Sequence, residues 1–162
     1  WIFDDFMVSK GCDVFSFDPS MNVGKHSRSK HHLFEPIGIG AYSGTHKGKS
    51  TLYGGKKNYQ LLSLRDIMQR YGHNHIDIIR MDTESAEWDV LKQWNDDNLW
   101  EKMDQLLLEV HMWDKKKQEY YSNALSNIPM ALFHKAKNNH DQNKAFRDMT
   151  QVYELGFLLN TK

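Results

Sequence analysis

The sequence predicts an α/β protein: a doubly wound, mostly parallel sheet whose last strand runs antiparallel. Three observations predict it. Strand-like apolar runs alternate with helical periodicities along most of the chain, the order expected of a parallel sheet with helices on both faces. Runs such as Leu106-Leu107-Leu108 are continuously apolar, as strands buried on both faces are. Two strand-like segments then follow one another at the end with no helix between them, which argues an antiparallel closing pair.

Taken in order, Trp1 to Lys10 reads as a helix, with Ile2 or Phe3, Phe6 and Met7 on one face and Gly11 at its end. Cys12 to Phe17 reads as a strand that stops at Asp18-Pro19-Ser20. Asn22 to His32 is polar and without periodicity. A strand is expected over Leu33 to Ala41, interrupted by Pro36, Gly38 and Gly40, and a short one over Ser50 to Tyr53. Ser63 to Tyr71 is the clearest helix: Ser63 and Asp66 form a capping box, and Leu64, Ile67, Met68 and Tyr71 share one face. Ile76 to Met81 is a strand ending in Asp82. A helix follows from about Ser85 to Trp94 with Trp88, Leu91 and Trp94 inward. Met103 to Met112 is the leucine-rich strand. Tyr121, Ala124, Leu125 and Ile128 mark a last helix that Pro129 stops. Met130 to Phe133 and Gln151 to Leu159 are the closing strands, joined by a polar linker over about Lys137 to Asp148.

A chain of 162 residues suits one domain, spanning 1–162. Hydrophobic residues make up 40% and aromatics 12%, enough for a packed core. The 21 basic and 21 acidic residues balance to zero, which disfavours nucleic acid as a partner; Lys115-Lys116-Lys117 reads as a solvated helix start. The single cysteine, Cys12, allows no internal disulfide and reads as a small core residue. No apolar stretch reaches the roughly 18 residues that span a membrane.

In open α/β sheets ligands sit outside the carboxyl ends of the strands, so the polar residues that end strands are the candidates. Asp18 ends the first strand. A carboxylate there can accept both hydroxyls of a ribose; a turn-forming Asp before Pro19 is the equal alternative. Asp82 and Glu84 end the next clear strand on one side. Glu84 and Glu87 also lie at the start of the following helix, where the helix dipole favours acids by roughly 0.3–1 kcal/mol with no catalytic role. That is the expectation for Glu87. Glu109 and His111 end the leucine-rich strand on one side; an ordinary polar cap on a buried strand is the equal alternative. If the strands bearing Asp82 and Glu109 are adjacent, four ionisable groups converge, a cluster able to bind a divalent cation or to abstract a proton. No metal is assigned. His31, His32, His73 and His75 lack a zinc-ligand frame and read as loop residues. Gly38-Ile39-Gly40 lacks the third glycine of a nucleotide fingerprint.

The segment Ile76-Asp-Ile-Ile-Arg-Met-Asp-Thr-Glu-Ser-Ala-Glu-Trp88 resembles the strand-four motif of the FkbM-like and methyltransferase-like protein families, which carry a similar D-x-E-[GS]-x-E/W pattern. Gly11 to Met21 is similar to their strand two, Gln105 to Trp113 to their strand five, and Tyr153 to Phe157 to their final strand. The likeness keeps its order over nearly the whole chain. It implies a Rossmann-like sheet in the order 3-2-1-4-5-7-6 that binds S-adenosyl-L-methionine. Asp18, with Pro19 and Ser20, would hold the ribose, Gly40 and Ala41 would flank the adenine, and Asp82 would lie near the methionine end. In these families strand one and a glycine-bearing loop come just before a segment like Trp1-Ile-Phe-Asp-Asp5. The chain is therefore expected to lack both and to be a partial domain.

The function implied is methyl transfer to an oxygen or nitrogen of a small or glycan-like acceptor, with Asp82, Glu84, Glu109 and His111 as catalytic candidates. The alternative is a catalytically inactive binding or scaffold module of the same fold. A nicotinamide oxidoreductase would share Asp18 but not the closing strands. The acceptor, the compartment and the oligomeric state are not legible.

Overall fold

The computed structural model describes residues 1–49, 56–112, 114–137 and 151–159. The chain divides into two compact units, Trp1–Asp66 and Ile67–Lys162.

The first unit opens with α1 (Ile2–Ser9), followed by β1 (Val14–Phe17), β2 (His26–Ser29) and β3 (His32–Glu35). These strands form one sheet in the order β1-β3-β2, with β1 parallel and β2 antiparallel to β3. The run expected as one strand from Leu33 to Ala41 is broken. Pro36 has no N–H to continue a ladder, and Ile37 N–H instead bonds back to the Glu35 carbonyl at 2.9 Å. Beyond the break, β4 (Gly38–Ile39) joins a second sheet, β4-β6-β5, with β5 (Gly44–Lys49) and β6 (Lys56–Leu62). Gly40 lies against β6, where a Cβ would meet Leu61 side-chain atoms at 3.1 and 3.2 Å. Packing alone therefore accounts for that glycine.

Helix α2 (Leu64–Tyr71) begins as expected, with a variation. Ser63 Oγ accepts from Asp66 N–H at 3.2 Å and donates to Asp66 Oδ2 at 2.9 Å. Ser63 N–H, which a full capping box would give to Asp66, goes to Ser43 Oγ at 2.9 Å. Leu64, Ile67 and Met68 are buried. Gly72 takes φ +70°, a left-handed conformation open to glycine, and lets His73 N–H cap the Met68 carbonyl at 2.8 Å.

The second unit holds β7 (Ile76–Met81), α3 (Glu87–Asp96), β8 (Met103–Met112), α4 (Gln118–Ser126), β9 (Ala131–Lys137) and β10 (Gln151–Leu158). Its sheet runs β7-β8-β10-β9; β7 and β8 are parallel, while β10 is antiparallel to both neighbours. The core is Met103, Leu106, Leu108 and Val110 of β8 with Trp88, Val90, Leu91 and Trp94 of α3. Trp88 stacks on Tyr121 of α4 with ring centroids 4.4 Å apart, and Trp94 meets Trp100 edge-on at 5.5 Å.

The doubly wound, mostly parallel Rossmann-like sheet expected from the sequence is not what forms. Among the described residues there are three small sheets. Three strand pairings are parallel (β1–β3, β4–β6, β7–β8) and four antiparallel (β2–β3, β5–β6, β8–β10, β9–β10). The reason lies in the connections. A parallel pair needs a crossover of a dozen or more residues, usually helical, whereas a short turn gives an antiparallel pair. Between β1 and β6 no described segment is helical, and Lys30-His31 alone joins β2 to β3. The polar stretch Asn22–His32 hides β2, since His26-Ser-Arg-Ser29 is exposed throughout and shows no apolar alternation. The expected strand over Ser50–Tyr53 and residues 138–148 of the expected linker lie outside the described residues.

Candidate functional site

Four of the sequence-derived candidates come together in the second unit. β7 and β8 are parallel neighbours with Met81 opposite Leu108, so the residues following each emerge at the same end. Asp82 and Glu84 leave β7, and Glu109 and His111 complete β8. His111 is 3% exposed, and its Nε2 faces Glu84 Oε2 at 3.6 Å, Glu109 Oε1 at 3.7 Å and Asp82 Oδ1 at 3.9 Å. These distances exceed those of good hydrogen bonds, so the attraction to a protonated ring is chiefly that of charge. Glu84 and Asp82 are 76% and 42% exposed, so the carboxylates on this side of His111 reach solvent while the imidazole itself stays buried. One ligand atom each from Asp82, Glu84 and His111 lies within 4.8 Å of the others, a spacing able to hold a divalent cation.

The other side of His111 is closed by Glu87. Glu87, expected to be a helix-start acid, is fully buried. Its Oε1 accepts His111 N–H at 2.7 Å and lies 3.2 Å from His111 Nδ1. Its Oε2 accepts Ser85 N–H at 2.8 Å and Thr83 Oγ–H at 3.1 Å. To reach this position the chain turns through left-handed φ at Glu84 (51°) and Ser85 (90°), a conformation that costs a non-glycine residue roughly 1–3 kcal/mol. The signals for Glu87 in the sequence are the crowding of acids and hydroxyls between Asp82 and Glu87 and its place in the D-x-E-[GS]-x-E/W pattern. The His111 carbonyl is held too, by the Trp88 indole N–H at 3.0 Å.

The electrostatics follow from these contacts. Burial alone would lower the pKa of His111. The hydrogen bond with Glu87 and the charges of Glu87, Glu84 and Asp82 outweigh it, and the imidazole lies above its ordinary 6.5. Burial alone would raise Glu87. The His111 ring and backbone N–H bonds outweigh that, so Glu87 lies below its ordinary 4.5.

The remaining candidates lie in the first unit. Asp18 follows β1, and its Oδ1 accepts both Ser20 N–H at 2.8 Å and Ser20 Oγ–H at 2.7 Å, an Asx turn. Among the described residues no bond falls on Oδ2. Pro19 packs on Gly38, where a Cβ would lie 2.9 Å from the ring. Pro19 also lines a cleft of about 400 Å³ with Met21, Val23, Pro36 and Tyr59, within the roughly 300–1,000 Å³ of small-molecule sites. Ala41, half-buried, follows Gly40 in the bend after β4.

A family model, described as the methyltransferase FkbM domain, matches residues 9–157. The chain is 30% identical over 110 residues to the probable methyltransferase-like protein 24 of Homo sapiens, and 31% identical over 111 residues to that of Rattus norvegicus. Each match covers 68% of this chain and 29% of the relative, so the chain spans about three-tenths of the length of these curated relatives. No solved structure matches it significantly.

Proposed function

The chain belongs to the FkbM methyltransferase domain family, and on that premise we propose that it serves methyl transfer from S-adenosyl-L-methionine to an oxygen or nitrogen of a small or glycan-like acceptor. The observation that carries the reading is His111, buried at the end of β8 with Nε2 facing Asp82, Glu84 and Glu109. When bound, the donor supplies an electrophilic methyl group on a sulfonium. The acceptor must lose a proton as it takes the methyl, and His111 is the base that takes it at Nε2. The three carboxylates stabilise the imidazolium that results. Glu84 and Asp82, being exposed, are placed to bind acceptor hydroxyls.

The donor's ribose is assigned to Asp18. The turn fits that role because Ser20 occupies Oδ1 and leaves acceptor capacity on Oδ2. Pro19 and Ser20 support it, and Gly40 and Ala41 serve the adenine. The Asx turn also favours a second reading, in which Asp18 only shapes the chain and the domain is a non-catalytic module. Calorimetric titration of S-adenosylhomocysteine into the protein and its Asp18→Ala variant decides between them. A charge-assisted hydrogen bond contributes roughly 1.5–3 kcal/mol. Asp18→Ala should therefore weaken binding by about ten- to a hundredfold and change the melting temperature little. Unchanged affinity per folded molecule, with a lowered melting temperature, would favour the module.

A further inference from the structure

We propose that Glu87 is the positioning residue for His111: it fixes which ring nitrogen exchanges the proton and where that nitrogen points. The proposal rests on the reading of His111 as the base. Three observations lead to it. A carboxylate removed from water is tolerated only if its oxygens are met by donors. Glu87 has four such partners: Thr83 Oγ, Ser85 N, His111 N and His111 Nδ1. Two of the four belong to β8, 24 residues away in the chain. A residue present only to satisfy the α3 dipole needs neither burial nor a partner on another strand.

The second observation concerns valence. An ionised carboxylate only accepts, so Nδ1 must carry the hydrogen that faces Oε1. Neutral His111 then has its lone pair on Nε2, the nitrogen turned toward Asp82, Glu84 and Glu109. Had Nδ1 been the unprotonated nitrogen, its lone pair would point at a buried anion 3.2 Å away, closer than any carboxylate lies to Nε2. A histidine whose second nitrogen is held by a carboxylate is fixed in tautomer and made more basic.

The third observation is the shared oxygen. Oε1 takes the backbone N–H and faces the ring N–H of the same residue, so ring and main chain are clamped together. The Trp88 indole holds the carbonyl on the next residue of α3. Rotation of the ring away from Nε2-outward would break the Nδ1 contact and leave the Glu87 charge undercompensated.

The test is long-range proton–nitrogen correlation on histidine-labelled protein across pH, alongside methyl-transfer kinetics. In the unaltered protein, neutral His111 should be the Nδ1–H tautomer, titrating above 6.5. Glu87→Gln should mix the tautomers and lower the pKa. It should also cut kcat by about a hundredfold, at the low end of the roughly 10²–10⁴ that general acid–base groups contribute, with donor KM unchanged. Glu87→Asp should restore part of the loss. An Nε2–H tautomer in the unaltered protein overturns the proposal alone, and needs no variant that folds. Full turnover by His111→Ala overturns it together with the proton-transfer reading.

Discussion

Two tryptophans six residues apart on α3 offer the same perturbation with opposite consequences. Trp88 and Trp94 are 4% and 0% exposed. The Trp88 indole N–H reaches the His111 carbonyl at 3.0 Å, whereas the buried Trp94 indole N–H has no hydrogen-bond partner among the described residues. Replacing either with Phe removes the same atoms. The shared loss of ring contacts costs each variant about 1–2 kcal/mol. Trp88→Phe in addition leaves a buried carbonyl unmet, at about 1–3 kcal/mol, while Trp94→Phe removes a donor that was already unmet and recovers a penalty of about that size. Trp88→Phe should therefore cost about 2–5 kcal/mol in total, whereas Trp94→Phe should fall between a loss of about 1 kcal/mol and a gain of about 2 kcal/mol. For a chain of this length each kcal/mol moves the melting temperature by roughly 2–4 °C. Urea unfolding monitored by circular dichroism, with melting curves on the same samples, should place the Trp88→Phe midpoint clearly below that of Trp94→Phe at equal m-values. Equal losses, or a larger loss from Trp94→Phe, would refute the hydrogen-bond accounting on which the description of this helix rests.

The remaining predictions concern the candidate site. Glu87, with its lowered pKa, contributes stability that is present above its unfolded value near 4.5 and is lost as pH falls through the folded one. His111, with its raised pKa, contributes stability that is complete below 6.5 and is lost as pH rises through the folded value. The melting temperature should accordingly peak between about pH 4.5 and 6.5, and Glu87→Gln should flatten that peak; an unaltered profile in the variant would dissociate the pair from stability. Asp82→Asn and Glu109→Gln should reduce turnover more than affinity for S-adenosylhomocysteine. Parallel losses in both would move these residues to donor binding. Chelation with EDTA should leave turnover unchanged, because proton transfer to His111 Nε2 needs no cation; restoration of lost activity by Mn²⁺ or Mg²⁺ would reassign Asp82, Glu84 and His111 as cation ligands.

What was legible in the sequence followed from strong local signals. The Ser63–Asp66 cap, the apolar face of α2 and the continuous apolar run of β8 each depend on residues within a turn or two of one another. Strand ends marked by acids were equally plain, which is why Asp82, Glu84, Glu109 and His111 could be named before their meeting was known. What was lost depended on partners distant in sequence. β2 is wholly exposed and polar, so it is a strand only because β3 pairs with it. Pro36 reads as an interruption, but its effect, passing the chain to a different sheet, is decided by β6. Glu87 is the sharpest case. Its local position has a sufficient explanation in the helix dipole, and its actual role is set by His111, which no spacing rule links to it. The overall sheet differs because alternation of elements implies a parallel sheet only where helices make the crossovers, and no described segment between β1 and β6 is helical.

The adjacency of Glu87 and Trp88 carries a consequence for how this protein can vary. One residue holds the ring and N–H of His111, the other its carbonyl and the packing against Tyr121, so the geometry of the His111 imidazole and the seating of α3 are inherited through the same two codons. Drift at either position is judged twice, once for folding and once for chemistry. Glu84, three residues earlier and 76% exposed, is judged on neither count so severely, although its carboxylate faces the same nitrogen. A library aimed at new acceptors should therefore leave positions 87 and 88 alone and draw its diversity from position 84, limited there to side chains that tolerate the left-handed φ of 51° on which the seating of Glu87 depends.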